Sequence, residues 1–418
     1  MIDIKKLREN PEFYKKSSLA KKVRVDIDAI IKLDKENRKA IGKINEIRSQ
    51  IKSGSKSKPT PEEIQRLKNI GNEIKELESK QKSAEEKLNS LILQIPNPAA
   101  SDVKAGESEK DNDILSVHGK PTKFAFPIKD YMQIGSDLDL IDVDRAAKVS
   151  GSRFGYLKNE AAMLEFALVQ YAWDLIVKKE KYIPVVPPVM ISEKAMKAMG
   201  YLEHGGEDET YHFKEDGLYF VGTSEQSMGP YHMDEMLNEK SLPLRYTAFS
   251  TCFRREAGSY GKDTKGILRV HQFDKIEMFV YCKPEDSEKE HQKLLGIEQT
   301  LVDGLGLPYR IIRQCTADLG KPAAKTYDIE TWLPSQNTYR ETHSTSNTTD
   351  YQARRLNIRF KDSKTGKNDI VHALNGTAFA IGRIIIMIME NYQQKDGSVE
   401  IPKVLQKYMG IKKIINKK

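Results

Sequence analysis

The sequence predicts an α+β protein, with an antiparallel coiled-coil helical hairpin at the N-terminus followed by an antiparallel β-sheet flanked by helices. Two observations support this class. Apolar residues from 30 to 95 recur in steps of three and four, with one break at the turn residues 53–61. In the rest of the chain, strand-like and helix-like segments alternate, and the segments 253–277 and 327–347 are each typical of a hairpin, whose two strands are antiparallel. We therefore predict a helical domain at 1–100, a linker at 101–125 and a sheet domain at 126–418.

Two apolar stripes predict the helical hairpin. The first stripe comprises Ile30, Leu33, Asn37, Ala40, Ile44, Ile47 and Ile51. The second comprises Leu67, Ile70, Ile74, Leu77, Gln81, Ala84, Leu88, Leu91 and Ile95. This spacing is typical of a coiled-coil seam, and two stripes of similar length joined by a short turn favour helices that pack against each other. Only Asn37 and Gln81 are polar members of the stripes.

Composition limits the class of protein. The chain has 418 residues, of which 39% are hydrophobic and 31% charged. Its longest apolar run, 378–389, is too short to span a membrane, and the first residues do not resemble a signal peptide. The three cysteines are far apart in sequence, which favours a reducing cytoplasm and argues against disulfides and structural zinc. His204 and His212 lie in or near a glycine-rich loop, and we expect no zinc there.

The basic excess of the chain lies in the helical hairpin. Residues 1–100 hold 23 Lys and Arg against 15 Asp and Glu, whereas the remaining 318 residues hold 45 of each. A charged helix face is usually only a solvated surface. A basic excess confined to one domain nevertheless favours a polyanionic partner.

The segment 253–277 carries the most specific signal. Both of its ends alternate side chains as strands do, and residues 257–265 between them are rich in Gly, Ser and charge, as in a hairpin loop. Alternation would place Arg254 and Glu256 on one face of the first strand. It would place Phe273, Lys275 and Glu277 on one face of the second. Arginine, glutamate and an aromatic ring on one surface suit the phosphate, amine and base of a nucleotide.

This hairpin resembles motif 2 of the class II aminoacyl-tRNA synthetases. The string Arg-x-Glu-Ala-Gly-Ser from Arg254, followed by Arg-Val-His-Gln-Phe-Asp-Lys-x-Glu from Arg269, is similar to that of the seryl-tRNA synthetases in particular. An ordinary salt-bridged hairpin is the alternative reading of Arg254 and Glu256 alone.

Three further segments extend the resemblance. The helix predicted at 160–179, followed by the proline-bearing strand 182–189, resembles motif 1, which forms the dimer interface in the family. The triplet 223–225, Thr-Ser-Glu, resembles the site that binds the serine amino group. The segment 374–383, which leads into an apolar helix, resembles motif 3.

The segment 341–347 departs in part from the family pattern. Its glutamate and its serine are oxygen donors of the kind that Mg²⁺ takes together with substrate phosphates. Thr342, His343 and Thr345 replace the residues that the family usually has.

The resemblance implies a site for each substrate. The residues expected to bind ATP are Arg254, Arg255, Glu256, Val270, Phe273, Glu341, Thr342, His343, Ser344 and Arg383. Those expected to bind serine are Thr223, Ser224, Glu225, Arg254, Glu277, Asn375 and Thr377. Arg254 and Arg383 are the expected catalytic residues, and Glu341 and Ser344 the expected ligands of Mg²⁺ bound with ATP. The residues expected to bind tRNA(Ser) are Lys35, Arg38, Lys39, Arg48, Lys52, Lys68 and Lys75.

The expected activity is the ligation of L-serine to tRNA(Ser) by a homodimer, with ATP as substrate and seryl-adenylate as intermediate. Many members of the family also charge the selenocysteine tRNA, and the sequence does not show whether this chain does. Two alternatives remain at this point. One is an adenylate-forming ligase of the same fold with a non-tRNA acceptor, against which the basic hairpin argues. The other is a catalytically silent RNA-binding protein, against which Arg254, Glu277 and Arg383 argue.

Overall fold

The computed structural model describes residues 1–54, 60–258 and 265–416. The chain divides into two compact units, Met1–Pro98 and Ala99–Lys418, which we call the helical arm and the sheet unit. No helix among the described residues is long and apolar enough to cross a membrane.

The helical arm is the predicted hairpin. Its helices are α1 (Ile4–Glu9), α2 (Pro11–Ala20), α3 (Ile27–Gly54) and α4 (Pro61–Leu93). The long helices α3 and α4 pack along each other. Each begins where the sequence provides a start signal, because Asp26 accepts a hydrogen bond from the N–H of Ala29 and Pro61 occupies the first position of α4. Most of the predicted turn, residues 55–59, lies outside the described residues.

The two polar members of the seam meet across the hairpin. Gln81 Nε2 donates a hydrogen bond to Asn37 Oδ1 at 3.2 Å, and Asn37 is buried. A polar pair in an apolar seam is satisfied in only one register, since a shifted register leaves both amides among apolar side chains. The pair therefore fixes how α3 and α4 align.

The strands of the sheet unit are, in chain order, β1 (Asp113–His118), β2 (Ile141–Asp142), β3 (Tyr156–Leu157), β4 (Ile183–Val185), β5 (Met190–Ser192), β6 (His212–Phe213), β7 (Leu218–Phe220), β8 (Met236–Leu237), β9 (Leu244–Phe253), β10 (Gln272–Cys282), β11 (Tyr309–Arg313), β12 (Lys325–Leu333), β13 (Thr338–Asn347), β14 (Arg359–Lys361), β15 (Asn368–Ile370), β16 (His372–Ala380), β17 (Val399–Glu400) and β18 (Lys413–Ile414). Eight of them form the main sheet in the order β1-β11-β12-β13-β16-β10-β9-β4. All neighbours are antiparallel except β4 and β9, which are parallel.

The helices of the sheet unit are α5 (Tyr131–Asp137), α6 (Val143–Ser150), α7 (Asn159–Trp173), α8 (Glu193–Met199), α9 (Glu225–Met228), α10 (Ser287–Leu305), α11 (Tyr351–Arg355), α12 (Ile381–Asn391) and α13 (Gln406–Met409). The helix predicted at 160–179 is α7, which a π-helical segment, Asp174–Lys179, continues. Of the strand predicted at 182–189, only Ile183–Val185 form a strand, β4. It lies at the edge of the sheet, where the missing backbone N–H of Pro184 is tolerated.

The predicted linker is in part a strand. Residues Asp113–His118 form β1, which pairs with β11 at the far edge of the main sheet, so the prediction of a linker over 101–125 is wrong for this segment. An edge strand needs only one partner strand and leaves apolar side chains such as Ile114 and Val117 exposed. Its sequence therefore lacks the alternation that marks half-buried strands.

Alternation along β10 separates the core from the functional face. Ile276, Met278 and Val280 point into the main hydrophobic core, which α7, α10 and α12 also line. The intervening positions Lys275 and Glu277 point to the opposite face of the sheet, where a cavity lies.

Candidate active site

A single large cavity gathers most of the predicted site residues. It has a volume of about 930 Å³ and lies on the polar face of strands β10, β13 and β16. The predicted residues that line it are Thr223, Glu225, Arg254, Glu256, Glu277, Glu341, Ser344, Asn375 and Thr377. A narrow adjoining slot of about 90 Å³ adds Val270, Phe273, Thr342 and Arg383. Segments that are far apart in sequence are thus brought together.

The floor of the cavity is a buried ion pair between adjacent positions of one strand face. Lys275 Nζ lies 2.6 Å from Glu277 Oε2. Thr377, directly opposite Glu277 on β16, donates a hydrogen bond to the same carboxylate oxygen at 3.2 Å and accepts one from Lys275 at 3.4 Å. The carboxylate of Glu277 is therefore fixed in position by both neighbours.

A second buried acid, Glu225, lies at the start of α9. Its Oε2 accepts a hydrogen bond from the Tyr201 hydroxyl at 2.8 Å, and its Oε1 accepts one from Gln352 at 3.0 Å. Burial, together with the negative charge of nearby Glu277, raises the pKa of the Glu225 carboxyl. A carboxylate has room for more than two hydrogen bonds, so Glu225 can also accept from an ammonium group in the cavity.

Arg254 connects the cavity with the slot. Its Nε donates a hydrogen bond to the carbonyl of Gly222 at 3.1 Å, which anchors the side chain at the cavity wall. Its guanidinium carbon lies 5.2 Å from the centroid of the Phe273 ring. A planar cation beside an aromatic ring, with an acid near by, can hold a base and a phosphate of one nucleotide.

The backbone at Glu256 departs from the predicted strand. Strand β9 ends at Phe253, and Glu256 has a φ of 52°, in the left-handed region that side chains with a Cβ rarely adopt. The shared face of Arg254 and Glu256 therefore arises from a turn and not from strand alternation. The carboxylate of Glu256 lies 2.8 Å from Arg269 Nη1. Of the predicted hairpin loop, residues 259–264 lie outside the described residues.

A β-bulge brings Glu341 and Ser344 to the same face. Residues three apart on a regular strand point to opposite faces. The pairing of β12 with β13 shifts so that Ile329 is opposite His343 and Glu330 is opposite Glu341, which leaves Thr342 as the extra residue. Both oxygen donors consequently line the cavity.

Arg383, in the first turn of α12, lies beside Glu341. Its Nη1 donates a hydrogen bond to the carbonyl of Glu341 at 2.8 Å and lies 3.5 Å from the carboxylate oxygen Oε2. The guanidinium thereby closes the slot next to the predicted metal ligands.

Three predicted residues do not line the cavity with their side chains. His343 faces the opposite side of the sheet, where it contacts Phe379, and burial lowers its pKa to about 3. Ser224 is fully buried and Arg255 is exposed, and neither lines the cavity or the slot. For His343 the cause is its position on β13, because it follows the bulge and lies next to Ser344, which lines the cavity, so its side chain points to the other face.

Sequence reasoning did not assign Tyr201, Arg269 and Lys275 to the site, although all three line the cavity. The alternation of Phe273, Lys275 and Glu277 was the available signal for Lys275. Tyr201 contacts Glu225, which is distant in sequence, and Arg269 contacts Glu256 across the loop. No local sequence pattern therefore reveals Tyr201 or Arg269.

The donor set at Glu341 and Ser344 suits Mg²⁺. Within the described residues no group of three or more His, Cys, Asp or Glu could hold a metal ion by itself. One carboxylate and one hydroxyl are a small donor set, which is typical of Mg²⁺ bound together with substrate phosphates. The cysteines Cys252, Cys282 and Cys315 are unpaired and buried.

Comparison with known proteins agrees with this site. Residues 1–99 match the family model of the seryl-tRNA synthetase N-terminal domain, and residues 211–392 match that of the tRNA synthetase class II core domain (G, H, P, S and T). The serine–tRNA ligase of Nitrosopumilus maritimus is 42% identical and covers 99% of this chain and 100% of its own. That of Fervidobacterium nodosum is 43% identical and covers 98% of both chains.

Solved structures give the same result. The crystal structure of seryl-tRNA synthetase from Pyrococcus horikoshii complexed with ATP has a TM-score of 0.93, 39% identity and full coverage of both chains. The cytoplasmic serine–tRNA ligase from Naegleria fowleri in complex with AMP has a TM-score of 0.89 and 34% identity, over 100% of this chain and 99% of its own. The predicted class II synthetase core with an N-terminal helical hairpin is confirmed, and the chain belongs to the seryl-tRNA synthetases, which makes it a serine–tRNA ligase.

Proposed function

We propose how the residues of this cavity perform the ligase reaction and which surfaces serve its partners. The observation that supports this proposal most strongly is that two buried acids, two arginines and a Glu–Ser pair of oxygen donors line one cavity and its slot. They are Glu225, Glu277, Arg254, Arg383, Glu341 and Ser344. Serine occupies the cavity, and ATP occupies the slot and the space between Arg254 and Arg383.

In the first step, a serine carboxylate oxygen attacks the α-phosphorus of ATP in line. The P–O bond to pyrophosphate breaks, and seryl-adenylate forms. Arg254 stabilises the charge that develops on the phosphate, while Phe273 stacks on the adenine and Glu256 accepts a hydrogen bond from its amino group. Arg383 holds the γ-phosphate. Mg²⁺, held by Glu341 and Ser344, neutralises phosphate charge when bound.

In the second step, a hydroxyl of the terminal ribose of tRNA attacks the acyl carbon and AMP leaves. No side chain forms a covalent bond in either step, so positioning and electrostatic stabilisation carry the catalysis. Glu225 and Thr223 hold the serine ammonium, and Glu277 accepts a hydrogen bond from the serine hydroxyl. Asn375 and Thr377 line the side-chain end of the pocket.

The helical arm is the proposed tRNA contact. Lys35, Lys39, Lys68 and Lys75 are exposed on its two long helices. Arg38 pairs with Asp34 at 3.0 Å and Arg48 with Glu78 at 2.5 Å, so these two predicted contacts are already in part neutralised. The side chain of Lys52 lies outside the described residues. Phosphate contacts of this kind position a nucleic acid without reading its bases.

A homodimer through α7 and β4 is the proposed assembly, and the reducing cytoplasm is its proposed location. On α7, Phe166 is 61% exposed and Met163 is exposed as well. Ile183 on β4 and Val186, directly after β4, are also exposed. Large apolar side chains concentrated on consecutive elements favour a protein interface.

Zinc has no role in the proposed reaction.

Glu277→Gln tests the serine pocket. With the unaltered enzyme, ATP–pyrophosphate exchange without tRNA should be fast with serine and far slower with alanine or glycine, because those two amino acids leave the buried carboxylate without its hydrogen bond. In the variant, the preference for serine over alanine should fall by about 10-fold or more, at a similar KM for ATP. An unchanged preference would exclude Glu277 as the hydroxyl partner. Lack of exchange with every amino acid in the unaltered enzyme would exclude the proposed chemistry.

The pH dependence of serine binding tests Glu225. Protonation removes the negative charge that pairs with the ammonium, so the KM for serine should rise as the pH falls through the pKa of Glu225. Because burial raises that pKa, the rise should begin at a higher pH than for an ordinary carboxyl group. The variant Glu225→Gln should show a high KM that no longer depends on pH in this range. A KM for serine that stays level down to the pH at which the protein unfolds would contradict the assignment.

Charge removal on the arm tests the tRNA contact. Replacing Lys35, Lys39, Lys68 and Lys75 by glutamine should raise the Kd for tRNA and make the slope of log Kd against log salt shallower by about 0.7–0.9 for each phosphate that is no longer neutralised. Exchange without tRNA should not change. The matched control replaces four exposed lysines of the sheet unit, Lys361, Lys364, Lys367 and Lys403. Equal effects of the two variants on the salt slope would remove the arm as the specific contact.

Phe166→Asp tests the dimer. A carboxylate introduced within the proposed interface is desolvated without a partner, so sedimentation equilibrium should show a shift from dimer to monomer. Val117→Asp is the control, because Val117 is similarly exposed, at 59%, but lies on β1 at the other edge of the sheet. A Phe166→Asp protein with the mass of the unaltered protein would rule out this interface.

A further inference from the structure

Three phenylalanine rings lead from the wall of the large cavity to the surface of the sheet unit. Phe253, at the end of β9, lines the cavity, and its ring is stacked on that of Phe220 with 4.2 Å between the centroids. Phe220 on β7 contacts the ring of Phe213 on β6 edge to face, at 5.1 Å. The outermost ring, Phe213, is 42% exposed. We call these three residues the phenylalanine row.

The register of the small sheet β5-β7-β6 explains why the row reaches the surface. Tyr219 on β7 is buried in a core cluster, so its neighbour Phe220 points to the opposite face of the sheet. Phe213 lies directly opposite Leu218, which is two positions from Phe220, and therefore shares the face of Phe220. Large apolar side chains exposed on one face are typical of a binding surface.

Arg255 supplies a positive charge beside the row. Its side chain is exposed, and its backbone N–H donates a hydrogen bond to the carbonyl of Glu209 at 2.9 Å, two residues before Tyr211. Tyr211 in turn accepts a hydrogen bond at its carbonyl from the N–H of Phe220, at 2.9 Å. Burial raises the pKa of the Tyr211 phenol, and the charge of Arg255 opposes that shift, which places the guanidinium near Tyr211.

Aromatic rings next to a cation suit an unpaired nucleic acid strand. Bases of such a strand stack on aromatic side chains, often on the surface of a sheet, while cations contact the phosphates. The ligase reaction brings the terminal ribose of tRNA to the acyl carbon in the cavity, so the unpaired nucleotides before it must pass the cavity wall. The phenylalanine row begins at that wall, with Phe253.

We propose that the phenylalanine row and Arg255 bind the unpaired 3′ end of tRNA, with a base stacked on Phe213 and a phosphate beside Arg255. This inference rests on the proposed binding of serine in the cavity. It gives Arg255, which does not line the cavity or the slot, a role with the second substrate. The rival explanation is that the three rings only pack the small sheet against β9.

A thermodynamic cycle tests this surface. Phe213→Leu keeps an apolar contact with Phe220 but removes the ring on which a base can stack. The Kd is measured by filter binding, without ATP or serine, for intact tRNA(Ser) and for tRNA(Ser) that lacks its unpaired 3′-terminal nucleotides. The variant should raise the Kd for intact tRNA by about 5- to 10-fold and leave that for shortened tRNA unchanged. Phe213→Tyr, which retains a ring, should bind intact tRNA as the unaltered enzyme does.

Tyr231→Leu is the matched control. Tyr231 is an aromatic residue of the sheet unit that is 53% exposed but does not line the cavity. Its replacement should leave both Kd values unchanged. In a second variant, Arg255→Gln, the slope of log Kd against log salt should become shallower by about 0.7 for intact tRNA and stay the same for shortened tRNA.

The outcomes separate this inference from the proposal on which it rests. An equal effect of Phe213→Leu on intact and shortened tRNA, or no effect on either, would overturn it. If Phe213→Leu does not fold, the exposed Arg255→Gln variant decides, and an unchanged salt slope would overturn the inference as well. Failure of the proposed serine site would instead appear as a lack of serine-dependent exchange in the unaltered enzyme, which this cycle does not measure.

Discussion

The buried ion pair between Lys275 and Glu277 is the contact on which the arrangement of the active site depends. Its two side chains are 9% and 2% exposed, and Thr377 on the adjacent strand binds both. Removing one partner of such a pair costs about 3–5 kcal/mol, because the other charge stays buried without compensation. An apolar pair could stabilise the sheet as well. The ion pair is therefore best explained by the need for a carboxylate under the proposed serine pocket, and β10 must pair in register with β16 to supply it.

Two β-bulges turn this regular sheet into a site. One leaves Thr342 unpaired on β13 and gives Glu341 and Ser344 a common face. The other lies between β10 and β16, where Ile276 faces Phe379 and Glu277 faces Thr377, so that Ala378 is the extra residue. Bulges re-aim side chains without breaking the sheet, because the flanking ladder bonds hold the two strands in place. The residues proposed to bind serine depend on the bulge at Ala378, and the proposed ligands of Mg²⁺ depend on the bulge at Thr342.

These details show which features of the fold local sequence could predict. The helical arm was predictable because its seam is a periodic pattern, and so were the faces of β10, because alternation holds there. The bulge at Thr342 and the left-handed backbone of Glu256 were not, since both depend on partners far along the chain. Edge strand β1 was predicted to be linker because it forms only by pairing with β11, which is far along the chain, and because its own composition does not indicate a strand.

Charge balance links the parts of the site. Each acid proposed to bind ATP lies next to an arginine: Glu256 is 2.8 Å from Arg269, and Glu341 is 3.5 Å from Arg383. In the proposed reaction a phosphate oxygen can replace Glu341 as the partner of Arg383, which leaves Glu341 for the metal. Glu225 differs, because its hydrogen-bond donors Tyr201 and Gln352 are neutral and burial raises its pKa. In the proposed reaction its charge is balanced by the serine ammonium, so the pocket for the amino acid selects a cation while the slot selects an anion.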